Sequence, residues 1–113
     1  MKARIPQGAG GPGNLNELMK RAQQMQDEVA RLTEELETRE YEIKAGGGLV
    51  RVLIGGDKQL KELTLSPDIV DPDDIETLQD LIMAAVNEAV ATVESTSKQE
   101  LEKVTGAFGM PGM

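Results

Sequence analysis

The chain has 113 residues and a formal charge of −8, with one Phe, one Tyr, no Trp, no cysteine and no histidine. One domain is the expectation at this length. The missing cysteine excludes a disulfide framework and thiol chemistry, and the missing histidine removes the commonest general base and metal ligand. No stretch reaches the length of a membrane span and no apolar signal region opens the chain, so a cytoplasmic protein is expected.

The charge is unevenly spread. Residues 1–66 hold ten basic and ten acidic side chains, whereas residues 67–113 hold two basic and ten acidic ones. A net charge of this sign opposes phosphate binding unless cations are segregated from it.

Residues 1–13 are rich in glycine and proline, lack an apolar period and read as a flexible tail carrying Lys2 and Arg4. Asn14 then reads as an N-cap, with Glu17 completing a capping box. The first predicted helix covers 15–38, with Leu18, Ala22, Met25, Val29, Leu32 and Leu36 spaced by four and three. Asp27–Arg31 and Glu35–Arg39 are acid-before-base pairs on its surface. From Arg39 the period falls to two. Tyr41, Ile43 and Ala45 form one strand face, Gly46–Gly48 a turn, and Val50, Val52 and Ile54 the next face. Gly55 and Gly56 mark a second turn, Leu60–Leu65 the third strand, and Ser66-Pro67 its end.

The second predicted helix covers 72–105. Asp71 is its expected cap, Pro72 its first residue, and Asp73 and Asp74 lie in its first turn. Ile75, Leu78, Ile82, Ala85, Ala89 and Val93 repeat the 4–3 rhythm, and Gly106 is the expected stop. Residues 106–113 read as a second short tail, which leaves 14–105 as the folded domain. The fold class is α+β: a long helix, a three-stranded antiparallel meander and a long helix. A 4–3 stripe is a narrow seam that should bury itself against another helix. Long arms on so thin a core favour a dimer that grips something over an enzyme with a deep pocket.

Two antiparallel helices of roughly 36 and 50 Å would bring the start of the first beside the end of the second. Lys20 and Arg21 should then lie level with residues 90–95, with Lys98 and Lys103 beyond them. Residues 1–24 and 92–113 together hold six basic and four acidic side chains, a balance of +2. The remainder holds six basic and sixteen acidic side chains, a balance of −10.

Other constellations favour plainer readings. Gly46–Gly48 is not followed by Lys-Ser/Thr and opens no helix, so a hairpin turn is preferred to a phosphate loop. Asp68, Asp71, Asp73, Asp74 and Glu76 lack the spacing and central glycine of a calcium loop, so capping and solvated charge are preferred. Met19, Met25 and Met83 read as core fillers. Arg51 could meet phosphate, although pairing with Glu42 or Glu62 on a solvated sheet face is preferred. No nucleophile–base pair can be assembled, so no enzyme, cofactor, metal site or small-molecule substrate is expected.

Three stretches carry a resemblance. They are Gly13-Asn14-Leu15 leading into Leu18-Met19-Lys20-Arg21-Ala22-Gln23-Gln24-Met25-Gln26; Gly46-Gly47-Gly48-Leu49-Val50-Arg51-Val52 with Gly55-Gly56; and Leu63-Thr64-Leu65-Ser66-Pro67 followed by residues 78–81 and Ala84-Ala85-Val86-Asn87-Glu88-Ala89. In this order and spacing the sequence resembles the YbaB/EbfC family of small bacterial nucleoid-associated proteins over about ninety residues. The resemblance implies a tweezer-shaped homodimer in the nucleoid that binds double-stranded DNA. Lys20 and Arg51 fall where similar sequences carry Lys or Arg. The longer leading tail and the acidity of this chain depart from the family pattern. The expected DNA contacts are Lys20, Arg21, Lys98 and Lys103 at the tips, with Arg51, Lys2 and Arg4. The alternative is a protein-interaction scaffold for a recombination or replication factor. The lack of aromatic stacking residues disfavours single-stranded nucleic acid.

Overall fold

The computed structural model describes residues 12–107, with side chains from residue 14 onward. Helix α1 (Pro12–Thr38) leads into strands β1 (Glu40–Ala45), β2 (Val50–Gly55) and β3 (Leu60–Leu65), and helix α2 (Ile75–Ala107) follows. The strands form one antiparallel sheet in the order β1-β2-β3. The α+β class and the meander therefore match the expectation. The tails at 1–11 and 108–113, with Lys2, Arg4, Met110 and Met113, lie outside the described residues.

Register explains the core. Ile43 stands opposite Val52, and Ala45 opposite Val50. Leu63 and Leu65 stand opposite the same two valines on the other side. Directly opposed residues share a sheet face, so the alternating apolar positions gather on one side. That side rests on α2, where Ile43, Val50, Val52 and Ile54 pack with Ala85, Ala89 and Val93. The two alanines let the helix approach the branched strand side chains closely. Each buried Val or Ile contributes roughly 1.5–3 kcal/mol. The middle of the second seam is thus buried against a sheet, and the expectation that it needs a helix is corrected.

Both turns depend on glycine. Gly46, Gly47 and Gly48 have φ of +61°, +68° and +96°, values that side-chain-bearing residues rarely adopt. At the other end of the sheet, the Gly56 N–H donates to the Arg39 carbonyl at 2.8 Å. A Cβ on Gly56 would lie 1.8 Å from the Leu36 carbonyl oxygen. This contact joins the end of α1 to the β2–β3 turn, and Leu36 is buried beside it.

Helix boundaries differ from expectation in three places. Helix α1 starts at Pro12, so Asn14 lies within it and does not cap it. The fixed φ of proline suits the first helical position and draws the start forward. Helix α2 starts at Ile75. The Asp71 carboxylate accepts from the Asp73 N–H at 2.9 Å, which turns the chain before the helix begins. Asp74 takes over the cap by accepting from the Thr77 N–H at 3.4 Å. Helix α2 also runs through Gly106 to Ala107.

The whole is a rod, not a globule. Its radius of gyration is 23.3 Å over extents of 85 × 23 × 17 Å, whereas a compact domain of about 100 residues has a radius near 13 Å. No helix among the described residues is long and apolar enough to cross a membrane.

Candidate nucleic-acid interface

The sheet takes up the middle of α2. Gly46 at one end of the sheet lies against Leu81. At the other end Lys58 pairs with Glu94 at 3.0 Å. Only the last part of α2 remains to meet α1. There Arg39, just past the end of α1, lies 3.8 Å from Glu100. A groove of about 400 Å³ between the helices is lined by Glu28, Arg31 and Leu32 on one side and Glu100, Lys103, Val104 and Ala107 on the other.

These contacts set the levels along the arm. The last residue of α2 lies beside Glu28 and Arg31, not beside the start of α1. From Glu28 back to Pro12, α1 continues for about 24 Å. Lys20 and Arg21 sit about 10–12 Å beyond the end of α2. The expected alignment of Lys20 with residues 90–95 is therefore corrected. The sheet takes the part of α2 that this alignment had assigned to α1. Lys103 lies roughly 17 Å below Lys20 along the arm, and Lys98 a further 7 Å or so.

The cations differ in what surrounds them. Arg51 is on the open face of the sheet, where it pairs with Glu42 and, at 2.7 Å, with Glu62, and donates to the Thr64 hydroxyl at 3.3 Å. These bonds hold the Glu42 carboxyl below its ordinary range, chiefly through the hydrogen bond from Arg51, and push the guanidinium higher still. The preferred reading of Arg51 as a paired residue holds. Arg39 donates to Glu35 at 3.0 and 3.2 Å, as its spacing predicted, and this bond depresses the Glu35 carboxyl. Arg31 chooses Glu28 over the expected Asp27, which instead accepts from Gln23. Lys61 pairs with Asp57 at 3.1 Å and Lys103 with Glu100 at 3.3 Å. Among the described residues, Lys20, Arg21, Lys44 and Lys98 form no salt bridge.

Of these four, Lys20 and Arg21 stand together on the projecting part of α1, where Glu17 is the one acidic neighbour between residues 14 and 24. Lys98 borders a shallow hollow with Leu101, Glu102 and Thr105. Lys44 is on the open sheet face, directly opposite Arg51 in register. The acidic run from Asp68 to Glu76 lies at the opposite pole, before and at the start of α2. No group of three or more acidic residues among the described residues could hold a metal ion.

Two of the expected core methionines are on the surface. Met19 is 62% exposed and Met83 57% exposed, whereas Met25 is half-buried. Leu15 and Leu18 are exposed beside Met19. The apolar seam of α1 is engaged only from Met25 onward; residues 14–24 are all exposed.

Comparison with known proteins supplies the context. A family model described as the YbaB/EbfC DNA-binding family matches residues 11–108. A nucleoid-associated protein of Caldicellulosiruptor saccharolyticus is 53% identical over 112 residues, 99% of this chain and 97% of that protein. One from Acetivibrio thermocellus is 49% identical over 105 residues, 92% of this chain and 93% of that protein. The crystal structure of uncharacterized protein HP0035 from Helicobacter pylori superposes with a TM-score of 0.58 at 28% identity. It covers 69% of this chain and 90% of its own.

Proposed function

Given that the chain belongs to the YbaB/EbfC DNA-binding family, we propose that it binds double-stranded DNA as a homodimer. It does so without catalysis, as a nucleoid-associated protein that organises the nucleoid and affects gene expression. The observation that carries this reading is the position of the unpaired cations. Lys20 and Arg21 project past the end of α2, away from the acidic run at the other pole. In a protein of net charge −8, a polyanion is repelled least at that end. Lys98 is a secondary contact, lower on the arm. Lys103 and Arg51 are held by carboxylates and contribute mainly to structure. Lys2 and Arg4, the expected tail contacts, lie outside the described residues.

The homodimer is supported by apolar surface around the sheet. Only eight apolar side chains among the described residues are buried, which is thin for a free-standing protomer. Leu60 and Leu63 belong to the apolar face of the sheet, opposite Ile54 and Val52, yet are 45% and 44% exposed. Val70, Ile75 and Met83 add further exposed apolar surface. A second copy covering these residues would complete the core and give the particle two arms.

The test combines mass and gel retardation. Light scattering should give about twice the 12.2 kDa chain mass for both wild type and a Lys20→Glu, Arg21→Glu variant. The variant should lose retardation of duplex DNA at low salt. Unchanged retardation would remove the arm tips from the account. A wild-type protein that shifts no DNA but retains a protein partner in stoichiometric amount would favour the scaffold reading.

A further inference from the structure

We propose, resting on the reading that duplex DNA is bound at the arms, that Leu15, Leu18 and Met19 act as an apolar wedge. They enter the minor groove and bend the duplex there, while Arg21 and Lys20 hold the phosphates on either side.

Leu15, Leu18 and Met19 are 56%, 60% and 62% exposed. They lie on the section of α1 that extends past Ala107, out of reach of the sheet and of α2. The other large exposed apolar residues, Leu60, Leu63, Val70, Ile75 and Met83, are in β3, the segment after it and the first turns of α2. The dimer reading gives that group an occupant but leaves the arm-tip trio without one.

Their arrangement on the helix fits a groove. At about 100° per residue, Leu18, Leu15 and Met19 cover roughly one third of the helix circumference. Arg21 lies about 60° beyond Leu18 on one side, and Lys20 about 100° beyond Met19 on the other. An apolar strip flanked by two unpaired cations matches a groove whose floor is bases and whose walls are phosphates. A whole helix, about 10 Å across, cannot enter a minor groove of about 6 Å, but side chains projecting from it can. Apolar side chains inserted there unstack a base step and kink the duplex by roughly 20–90°.

The shortage of cations points the same way. Two cations at each described tip give a dimer about four phosphate contacts there, a small electrostatic hold on DNA. Burial of the apolar trio supplies attraction that salt does not screen.

The test uses the full chain and a Leu18→Ala, Met19→Ala variant. Alanine retains helix propensity, and both positions are exposed, so the fold and the oligomeric mass should not change. Three readouts are taken on an end-labelled duplex of about 30 base pairs, within the range over which bending can be measured. They are affinity, its salt dependence and the end-to-end distance by energy transfer. Affinity should fall about tenfold or more. The salt slope should stay the same, because Lys20 and Arg21 remain. The shortening of the duplex seen with wild type should disappear. Equal affinity and equal bending in the variant would overturn the wedge, as would a wild-type complex that leaves the duplex straight. A drop in oligomeric mass would also overturn it, by assigning the strip to contact between copies. If wild type binds no duplex at any salt, the DNA reading itself fails, an outcome distinct from loss of the wedge alone.

Discussion

Gly56 is the residue on which the attachment of α1 depends. Its N–H reaches the Arg39 carbonyl at 2.8 Å, and its missing side chain leaves room for the Leu36 carbonyl. Gly56→Ala would force a Cβ to within 1.8 Å of that oxygen, so the turn or the helix end must move. A loss of about 2–4 kcal/mol in urea unfolding is expected; a loss below about 0.5 kcal/mol would mean that the junction yields freely. The ion pairs at this scale predict an acid limb. Glu35 and Glu42 are held below their ordinary range chiefly by hydrogen bonds from Arg39 and Arg51, and Asp57 chiefly by the Gln59 N–H and then by Lys61. A folded-state value below the unfolded one stabilises the fold above the unfolded value. That stability is lost as pH falls through the folded value. Thermal stability should therefore be level near neutrality and decline below about pH 4. Arg51→Ala should shrink the decline. These groups are exposed, so the effect is small and weakens with salt.

At the scale of elements, the division of α2 between two neighbours organises the molecule. Its middle is spent on the sheet and its last turns on α1. The first two strands were legible because alternation and glycine turns leave little choice of register, and the third was placed to the residue although a register shift between Leu53 and Ile54 breaks its alternation. The two caps were not. Asp71, Pro72, Asp73 and Asp74 offer competing ways to begin a helix, and a side-chain bond at Asp71 decided for the later one. Asp74→Ala should lower stability by about 1 kcal/mol in chemical denaturation, whereas Asp71→Ala should cost less because it caps a turn and not the helix. If Asp71→Ala cost more, the helix would begin earlier than Ile75 in solution. The alignment of the helices was also misread, for a physical reason. A 4–3 stripe shows that a face is buried but not whether a sheet or a helix covers it. Once Ala85, Ala89 and Val93 face the sheet, α2 is too short to run beside all of α1. The overhang of Lys20 and Arg21 then follows from the helix lengths.

At the scale of the whole molecule, the rod separates a cationic tip from an acidic pole along its 85 Å length. The sequence already pointed to that separation by its uneven charge, and to Lys20 and Arg21 by their place in the first helix. It foresaw the carboxylate partners of Arg51 but not the pairing of Lys103 with Glu100, because position on a long helix does not show which charges lie level with it. The measurement that tests the central claim most directly is a salt titration of duplex binding by wild type and by a Lys20→Ala, Arg21→Ala variant. In the proposed homodimer, with two such residues on each protomer, the slope of log affinity against log salt should become shallower by about 3.6 in the variant. Equal slopes would place the phosphate contacts elsewhere and contradict the account.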